Sequence, residues 1–333
     1  MIFLDNLRPP SLLDPSAAGY KDWLHLNVLD HASGSVGLIN VSLHGAPDDP
    51  RSRALGAALV HVPHVGWFGN IEIRGINEAA IGRASIGLER VALAVRHDSG
   101  TVMASVRDHD NALTVRLTAT ATAPPVRSEE QFPLGKGWIS WYAVPRLTLA
   151  GEWTIGSERV DLQTASAYHD HNWGRWHWGD DLGWEWGCFL TPAPGATFIL
   201  SRPSDRAHLR FGNTTLVVQA GGKRRTFSGT AVELNYSGVL QTIKRRVPGA
   251  LAALHQDQAQ LHLPKSLRIK ADNGIDRVVV EFTAQAVAQL VAADPLVRGY
   301  GFIHEIAGEF TCSGMIGGAK IHGAGLGVLE HVY

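Results

Sequence analysis

Apolar and polar residues alternate with a period of two along most of this chain. From about Asp22 to Leu43 the order is Trp-Leu-His-Leu-Asn-Val-Leu-Asp, then His-Ala-Ser-Gly, then Val-Gly-Leu-Ile-Asn-Val-Ser-Leu. Alternation on both sides of a glycine-bearing turn predicts a β-hairpin. Residues 57–63, 71–76, 87–95, 101–108 and 113–121 continue the series, separated by turn signals such as Asp98-Ser-Gly100 and His109-Asp-Asn111. That spacing predicts an antiparallel sandwich or barrel. Pro124-Pro125 and the polar run to Glu130 form a long connection, after which alternation returns over 138–145, 146–155 and 158–165. Beyond the midpoint, strands are expected at 184–190, 196–201, 208–211, 214–219 and 225–234, and the glycine-rich end, 300–311 and 315–333, is strand-like. Two windows predict helices instead. Residues 247–254 carry Pro248 at a first-turn position, and 284–293 place Val287, Leu290 and Val291 on one face before Asp294-Pro295. The pattern describes an all-β protein of two units, residues 1–170 and 171–333, joined near 166–180.

The join is chemically unlike the rest. Tyr168-His-Asp-His-Asn-Trp-Gly-Arg-Trp-His-Trp-Gly-Asp-Asp-Leu-Gly-Trp-Glu-Trp186 holds five of the ten tryptophans and three of the sixteen histidines. If 167–173 is a strand, Tyr168, Asp170 and Asn172 share one face, while His169, His171 and Trp173 share the other. Three readings fit. Histidines projecting the same way, with Asp180 or Asp181, suit a metal. Asp170 among aromatic neighbours suits a desolvated acid that keeps its proton near neutral pH. Such an acid protonates a carbon–carbon double bond, and indole faces stabilise the resulting cation without trapping it. Trp173, Trp176, Trp178, Trp184 and Trp186, with Trp138, Trp141 and Tyr142 upstream, would line the site. In the third reading, Asp and His hydrogen-bond within the core and Trp fills space.

Bulk properties narrow the classes. At 333 residues the chain exceeds the size of a usual single core, which points to two domains. A net charge of −1 supplies no field for nucleic acid, and the triplets Lys223-Arg-Arg225 and Lys244-Arg-Arg246 read as solvated hairpin ends. Two cysteines, Cys188 and Cys312, build no disulfide framework. The start lacks a signal-peptide pattern and no window approaches 18 uninterrupted apolar residues, so a cytoplasmic protein without a transmembrane segment is expected. Gly323-Ala-Gly325-Leu-Gly327 has too little chain after it for a dinucleotide-binding helix, and no Gly-x-Ser-x-Gly nucleophile elbow occurs.

Tyr168-His-Asp-His-Asn-Trp-Gly174, followed by Trp176-His-Trp178 and Gly183-Trp-Glu-Trp186, resembles the signature of the lipocalin-like carotenoid 1,2-hydratase (hydroxyneurosporene synthase) superfamily, which decalin-forming Diels–Alderases also resemble. Ser140-Trp-Tyr-Ala-Val-Pro-Arg-Leu147 is similar to the segment preceding that motif, and Gly325-Leu-Gly327-Val-Leu-Glu330 to its terminal ending. The resemblance implies two lipocalin-like antiparallel β-barrel or sandwich domains packed together, with an apolar pocket near their junction. It implies Asp170 as the proton donor and Tyr168 as its partner, with Trp141 matching an upstream aromatic of the hydratases. Where the family's upstream histidine would fall, this sequence has Ile139 or Ser140, so the resemblance does not place that histidine. The expected activity is cofactor-independent, metal-free hydration or cyclisation of an isoprenoid or polyene. Trp141, Tyr142, Trp173, Trp176, Trp178, Trp184, Trp186, His169, His171 and Glu305 are the candidates for substrate contact. A small hydrophobic substrate also allows loose membrane association. A pericyclase and a non-catalytic lipocalin-like carrier are the alternatives.

Overall fold

The alternating segments build sheets almost exclusively. In the computed structural model, which describes residues 5–11, 13–14, 17–127, 131–242, 245–247, 263–294 and 299–333, strands make up 69% and no α-helix occurs among the described residues. No helix there is long and apolar enough to cross a membrane. The chain divides into two compact units, Met1–His177 and Trp178–Tyr333. Each is a curled sheet whose neighbouring strands run antiparallel, apart from the short Arg245–Val247, which lies parallel to Arg277–Asp294.

The first sheet runs from edge to edge through Gly66–Gly75, Arg53–Val62, Ser35–His44, Tyr20–Asp30, Ser166–Arg175, Gly137–Ile155, Leu113–Ala121, Thr101–Asp108, Val91–Arg96, Ser85–Gly87 and Ala80–Gly82. Its concave face is filled by Leu24, Leu26, Val28, Val41, Val60, Leu93, Val144 and Trp153. Full burial of each such side chain is worth about 1.5–3 kcal/mol. The strand Ser166–Arg175 carries the unusual motif and lies in the middle, between Tyr20–Asp30 and Gly137–Ile155. Two features of the long Gly137–Ile155 strand shape that neighbourhood. Its register slips between Val144 and Leu147, so Pro145 and Arg146 together oppose the single residue Tyr168. Proline cannot donate to the ladder, and a bulge is where a strand interior accommodates it. The second feature is close approach. A Cβ at Gly174 would stand 2.2 Å from the Trp138 carbonyl oxygen, and one at Gly137 would stand 1.6 Å from that of Arg175, so only glycine allows the strands to meet this closely.

The second sheet orders Lys223–Ser228, Thr215–Ala220, Thr197–Ser204, Gly183–Leu190, Ala319–Val332, Gly299–Ile316, Arg277–Asp294, Pro264–Asp272 and Val232–Val239. Its core is phenylalanine-rich, with Phe189 edge-on to Phe282 and Phe310 at centroid separations of 5.3 and 5.8 Å. Such pairs add about 0.5–1.5 kcal/mol beyond the area they bury.

Two sequence expectations are corrected here. The helix expected at 284–293 is part of the strand Arg277–Asp294. Residues Val287 to Val291 are all buried, so both faces of this strand are covered and the period-two signal disappears. The strand expected at 208–211 is a turn, apart from one bridge between Ser204 and Phe211. The other helical window, 247–254, lies outside the described residues beyond Val247.

Candidate active site

The register of Ser166–Arg175 separates its side chains as period two requires. His171 stands opposite Leu24 and Tyr142, and His169 opposite Leu26 and Val144, so the imidazole face looks into the core of the first unit. Asp170 stands opposite His25 and Ala143, Asn172 opposite Trp23 and Trp141, and Tyr168 opposite Asn27, all on the other face.

On the core face the histidines meet two carboxylates brought from far away in the chain. His169 holds the carbonyl of His25 through Nδ1 at 2.7 Å and Asp5 Oδ2 through Nε2 at 2.7 Å. His171 contacts the other Asp5 oxygen through Nδ1 and Asp22 Oδ1 through Nε2, the latter at 2.7 Å. With both ring nitrogens facing carboxylate oxygens, His171 is an imidazolium. Burial alone would lower its pKa, but Asp5 and Asp22 raise it to about 10. Burial likewise pushes the Asp5 carboxyl up, yet His171 and His169 carry it well below the usual carboxylate range. Asp22 Oδ2 accepts the Arg8 backbone N–H at 2.6 Å and the Tyr20 hydroxyl at 3.1 Å. Arg8 lies over the Trp173 ring, 4.1 Å from its centroid, and that ring lies 4.8 Å from His171. Direct nitrogen–oxygen contacts of 2.7 Å leave no space for an ion between His169 or His171 and its carboxylate, because ligands of one ion stand about 3.3 Å or more apart. Asp180 and Asp181 belong to the second unit, where Asp181 holds Arg210 at 3.0 Å.

The opposite face carries Asp170. Asp170 is only 5% exposed and Tyr168 1%. Asn172 donates from Nδ2 to Asp170 Oδ1 at 2.6 Å. Across the strand boundary, His25 Nε2 donates to Asn27 Oδ1 at 3.0 Å and Nδ1 accepts from Asn40 at 3.3 Å, a pattern that needs the neutral ring. Burial pushes its pKa down to about 4, which agrees. Trp23 meets Trp176 edge to face at 5.2 Å. Lys21, also buried, donates to the Trp176 carbonyl at 2.5 Å and lowers the neighbouring His44, which burial already depresses, to about 3. Buried amides, a neutral imidazole and indoles therefore share Asp170's face of the sheet with two buried cations, Lys21 and Arg146, the latter bonded to Ser166.

The structure thus groups the sequence-predicted residues in three places. Asp170, Tyr168 and Trp141 share the outer face of the first sheet, and Trp176 joins Trp23 at its end. His169, His171, Tyr142 and Trp173 belong to the core face. Trp178, Trp184, Trp186 and Glu305 lie in the second unit. There Trp178 and Trp184 are 5.8 Å apart, and the Trp184 indole N–H donates to Glu330, which stands directly opposite Glu305. Burial raises the pKa of Glu330, partly offset by its hydrogen bonds with Trp184 and Glu305. Sequence reading missed Trp23, His25, Asn27 and Asn40. Their signal was present in the hairpin's alternation, which sets Trp23, His25 and Asn27 on one face with Asn40 opposite His25.

No family model and no curated protein sequence matches the chain. Solved structures do. A Nitrosomonas europaea protein assigned as AttH has 16% identity and a TM-score of 0.69 over 97% of both chains. Kievitone hydratase from Nectria haematococca has 12% identity and a TM-score of 0.64, over 98% of this chain and 94% of that one. CghA, solved with Sch210972, has 12% identity and a TM-score of 0.62 at the same coverage. This all-β fold in two curled sheets is therefore one that a known hydratase also has.

Proposed function

We propose that the chain is a hydratase or cyclase of an apolar isoprenoid or polyene, with Asp170 as the acid. One observation carries this reading: a carboxyl group 5% exposed sits in mid-sheet, flanked by Tyr168 and Trp141 and facing away from the His–Asp ion network. Its neighbours directly across the strands are His25, whose ring is neutral, and Ala143. Asn172, donating to Oδ1, orients the carboxyl group that carries the acid proton in this reading. Transfer of that proton to an alkene carbon forms a C–H bond and leaves a cation at the more substituted carbon. Trp141 and Trp23 offer indole faces to it. Water then adds and returns a proton to the Asp170 carboxylate, giving an alcohol. Attack by an internal alkene, followed by proton loss to the same carboxylate, gives a cyclic isomer. Tyr168 orients the carboxyl or relays its proton. The likeness to kievitone hydratase supports the hydratase branch at the level of fold, and the motif's resemblance to carotenoid 1,2-hydratases supports an isoprenoid substrate.

The experiment is turnover of a panel of acyclic isoprenoids and polyenes in D2O. Alkene protonation places one solvent-derived deuterium on carbon, and Asp170→Asn abolishes it while ligand binding persists. A cyclised product without deuterium indicates the pericyclase, in which a shaped pocket and hydrogen bonds do the work. Ligand recovered unchanged from every incubation indicates a carrier. Either result rejects Asp170 as the acid.

A further inference from the structure

The second unit holds a polar cluster that the alkene chemistry does not use. Along Gly183–Leu190, Glu185 points to the opposite side from Trp184 and Trp186, onto the face that Phe189 fills two pairs of residues later. His331 is its direct partner on the neighbouring strand, and Arg202 its partner on the other side. His208 arrives from outside the sheet, on the turn between Asp205 and Arg210. It holds a left-handed backbone, φ +53°, that non-glycine residues rarely adopt. Side-chain exposure is 3% for Glu185 and 8% for His208.

We propose that Glu185, His208 and His331 form a binding site for a first-row divalent cation, zinc above all, with two imidazoles and one carboxylate as ligands. One ligand atom from each of the three lies within 4.8 Å of the other two. His208 Nδ1 is 3.5 Å and His331 Nε2 3.8 Å from the same oxygen, Glu185 Oε1. Three donors bonded to zinc at about 2.0–2.2 Å stand about 3.3–3.6 Å apart in a tetrahedron, so the two histidine–carboxylate pairs need a contraction of at most a few tenths of an ångström. The surrounding groups orient the ligands. His208 donates from Nε2 to the Val332 carbonyl at 2.7 Å, which turns Nδ1 towards Glu185. Glu185 Oε2 is occupied by Arg202 Nε at 2.7 Å and by the Tyr236 hydroxyl at 2.6 Å, which leaves Oε1 for the ion. His208 Nδ1, the atom aimed at Glu185 Oε1, is buried without a hydrogen-bond partner, an arrangement that needs a reason in a folded core. The two rings are stacked, 4.0 Å apart and 10° from parallel. Three protein donors leave a fourth position for water or an oxygen ligand, as in catalytic rather than structural zinc sites.

The test uses the full-length chain, without a histidine tag and stripped of metal by chelator. Zinc titrated calorimetrically is expected to bind with one-to-one stoichiometry, and Co2+ to develop visible absorption in the same ratio, whereas Mg2+ and Ca2+ do not compete. His331→Ala and His208→Asn each weaken zinc by about 100-fold or more. Asparagine tolerates the left-handed turn, so the second variant retains the fold. Zinc also raises the thermal midpoint of the unaltered chain and not that of His208→Asn. A chain that takes up no stoichiometric zinc, or a folded His208→Asn that binds it as the unaltered chain does, overturns the site.

Discussion

His171 is fixed between two carboxylates, and that placement makes stability depend on pH in a stated direction. Unfolded, the ring titrates near its ordinary value of about 6.5; folded, it titrates at about 10. Below the unfolded value both states carry the proton and the stabilisation is complete. As pH rises towards 10, folding must take up a proton, so stability falls by up to about 1.4 kcal/mol per pH unit and the contribution is then gone. Asp5 acts from the acid side. Its folded pKa lies below the ordinary value of 3.8, so its contribution is complete above that value and is lost as pH falls through the depressed one. Urea unfolding near pH 9.5 should therefore show a lower midpoint than near pH 7, and His171→Asn should flatten that dependence. The same variant leaves two buried carboxylates short of a partner and should cost about 3–5 kcal/mol at neutral pH. An unchanged slope in the variant would assign the dependence to another group. The facial split of Tyr168 to Trp173 was legible in the sequence because alternation depends only on local geometry. The partners of His169 and His171 were not. Asp5 lies 164 residues before His169, in a segment with no periodic pattern, and nothing local marks it as a core residue.

For single strands, the same contrast holds between local and tertiary signals. Strands with one polar face, such as Tyr20–Asp30, announced themselves through alternation. The Arg277–Asp294 strand did not, because Ala284-Gln-Ala-Val-Ala-Gln-Leu-Val-Ala-Ala293 is rich in good helix formers and is buried on both faces from Ala286 to Ala292, so neither propensity nor period opposed a helix. Pairing with Gly299–Ile316 along its whole length overrides that preference. The contact between Ser166–Arg175 and Gly137–Ile155 shows what pairing demands in return. Gly174→Ala would set a methyl group against the Trp138 carbonyl and the Ile139 Cα, both backbone atoms that cannot swing aside. A loss of about 1–3 kcal/mol is expected from such overpacking. Chemical denaturation measures it, and a variant as stable as the parent would mean that the strands separate without penalty. Because Asp170 lies four residues before Gly174 on the same strand, the variant should also slow any Asp170-dependent turnover.

In the whole molecule, the two units carry separate cores, one led by aliphatic residues and Trp153, the other by phenylalanines. Their probes are separate too. Seven tryptophans lie in Met1–His177, whereas both cysteines, buried and free, lie in Trp178–Tyr333. Tryptophan fluorescence therefore reports chiefly the first unit and thiol labelling the second. With independent cores, the two transitions in denaturant should have distinct midpoints; coincident curves would show one cooperative unit. The presence of two β units was readable from strand spacing, while the donors of the proposed cation site were not, since Glu185, His208 and His331 have no motif spacing and meet only through sheet order. Sheet order has one more consequence, and it concerns synthesis. Tyr20–Asp30 takes Ser166–Arg175 as a partner, and Gly183–Leu190 takes Ala319–Val332, so each unit is closed by its last strand. At a translation rate of about 5–20 residues per second, the open edge of Tyr20–Asp30 waits on the order of ten seconds for its partner to leave the ribosome. For that interval it is a template for any other strand in the cell. Newly made chains, more than finished ones, are where this architecture is vulnerable.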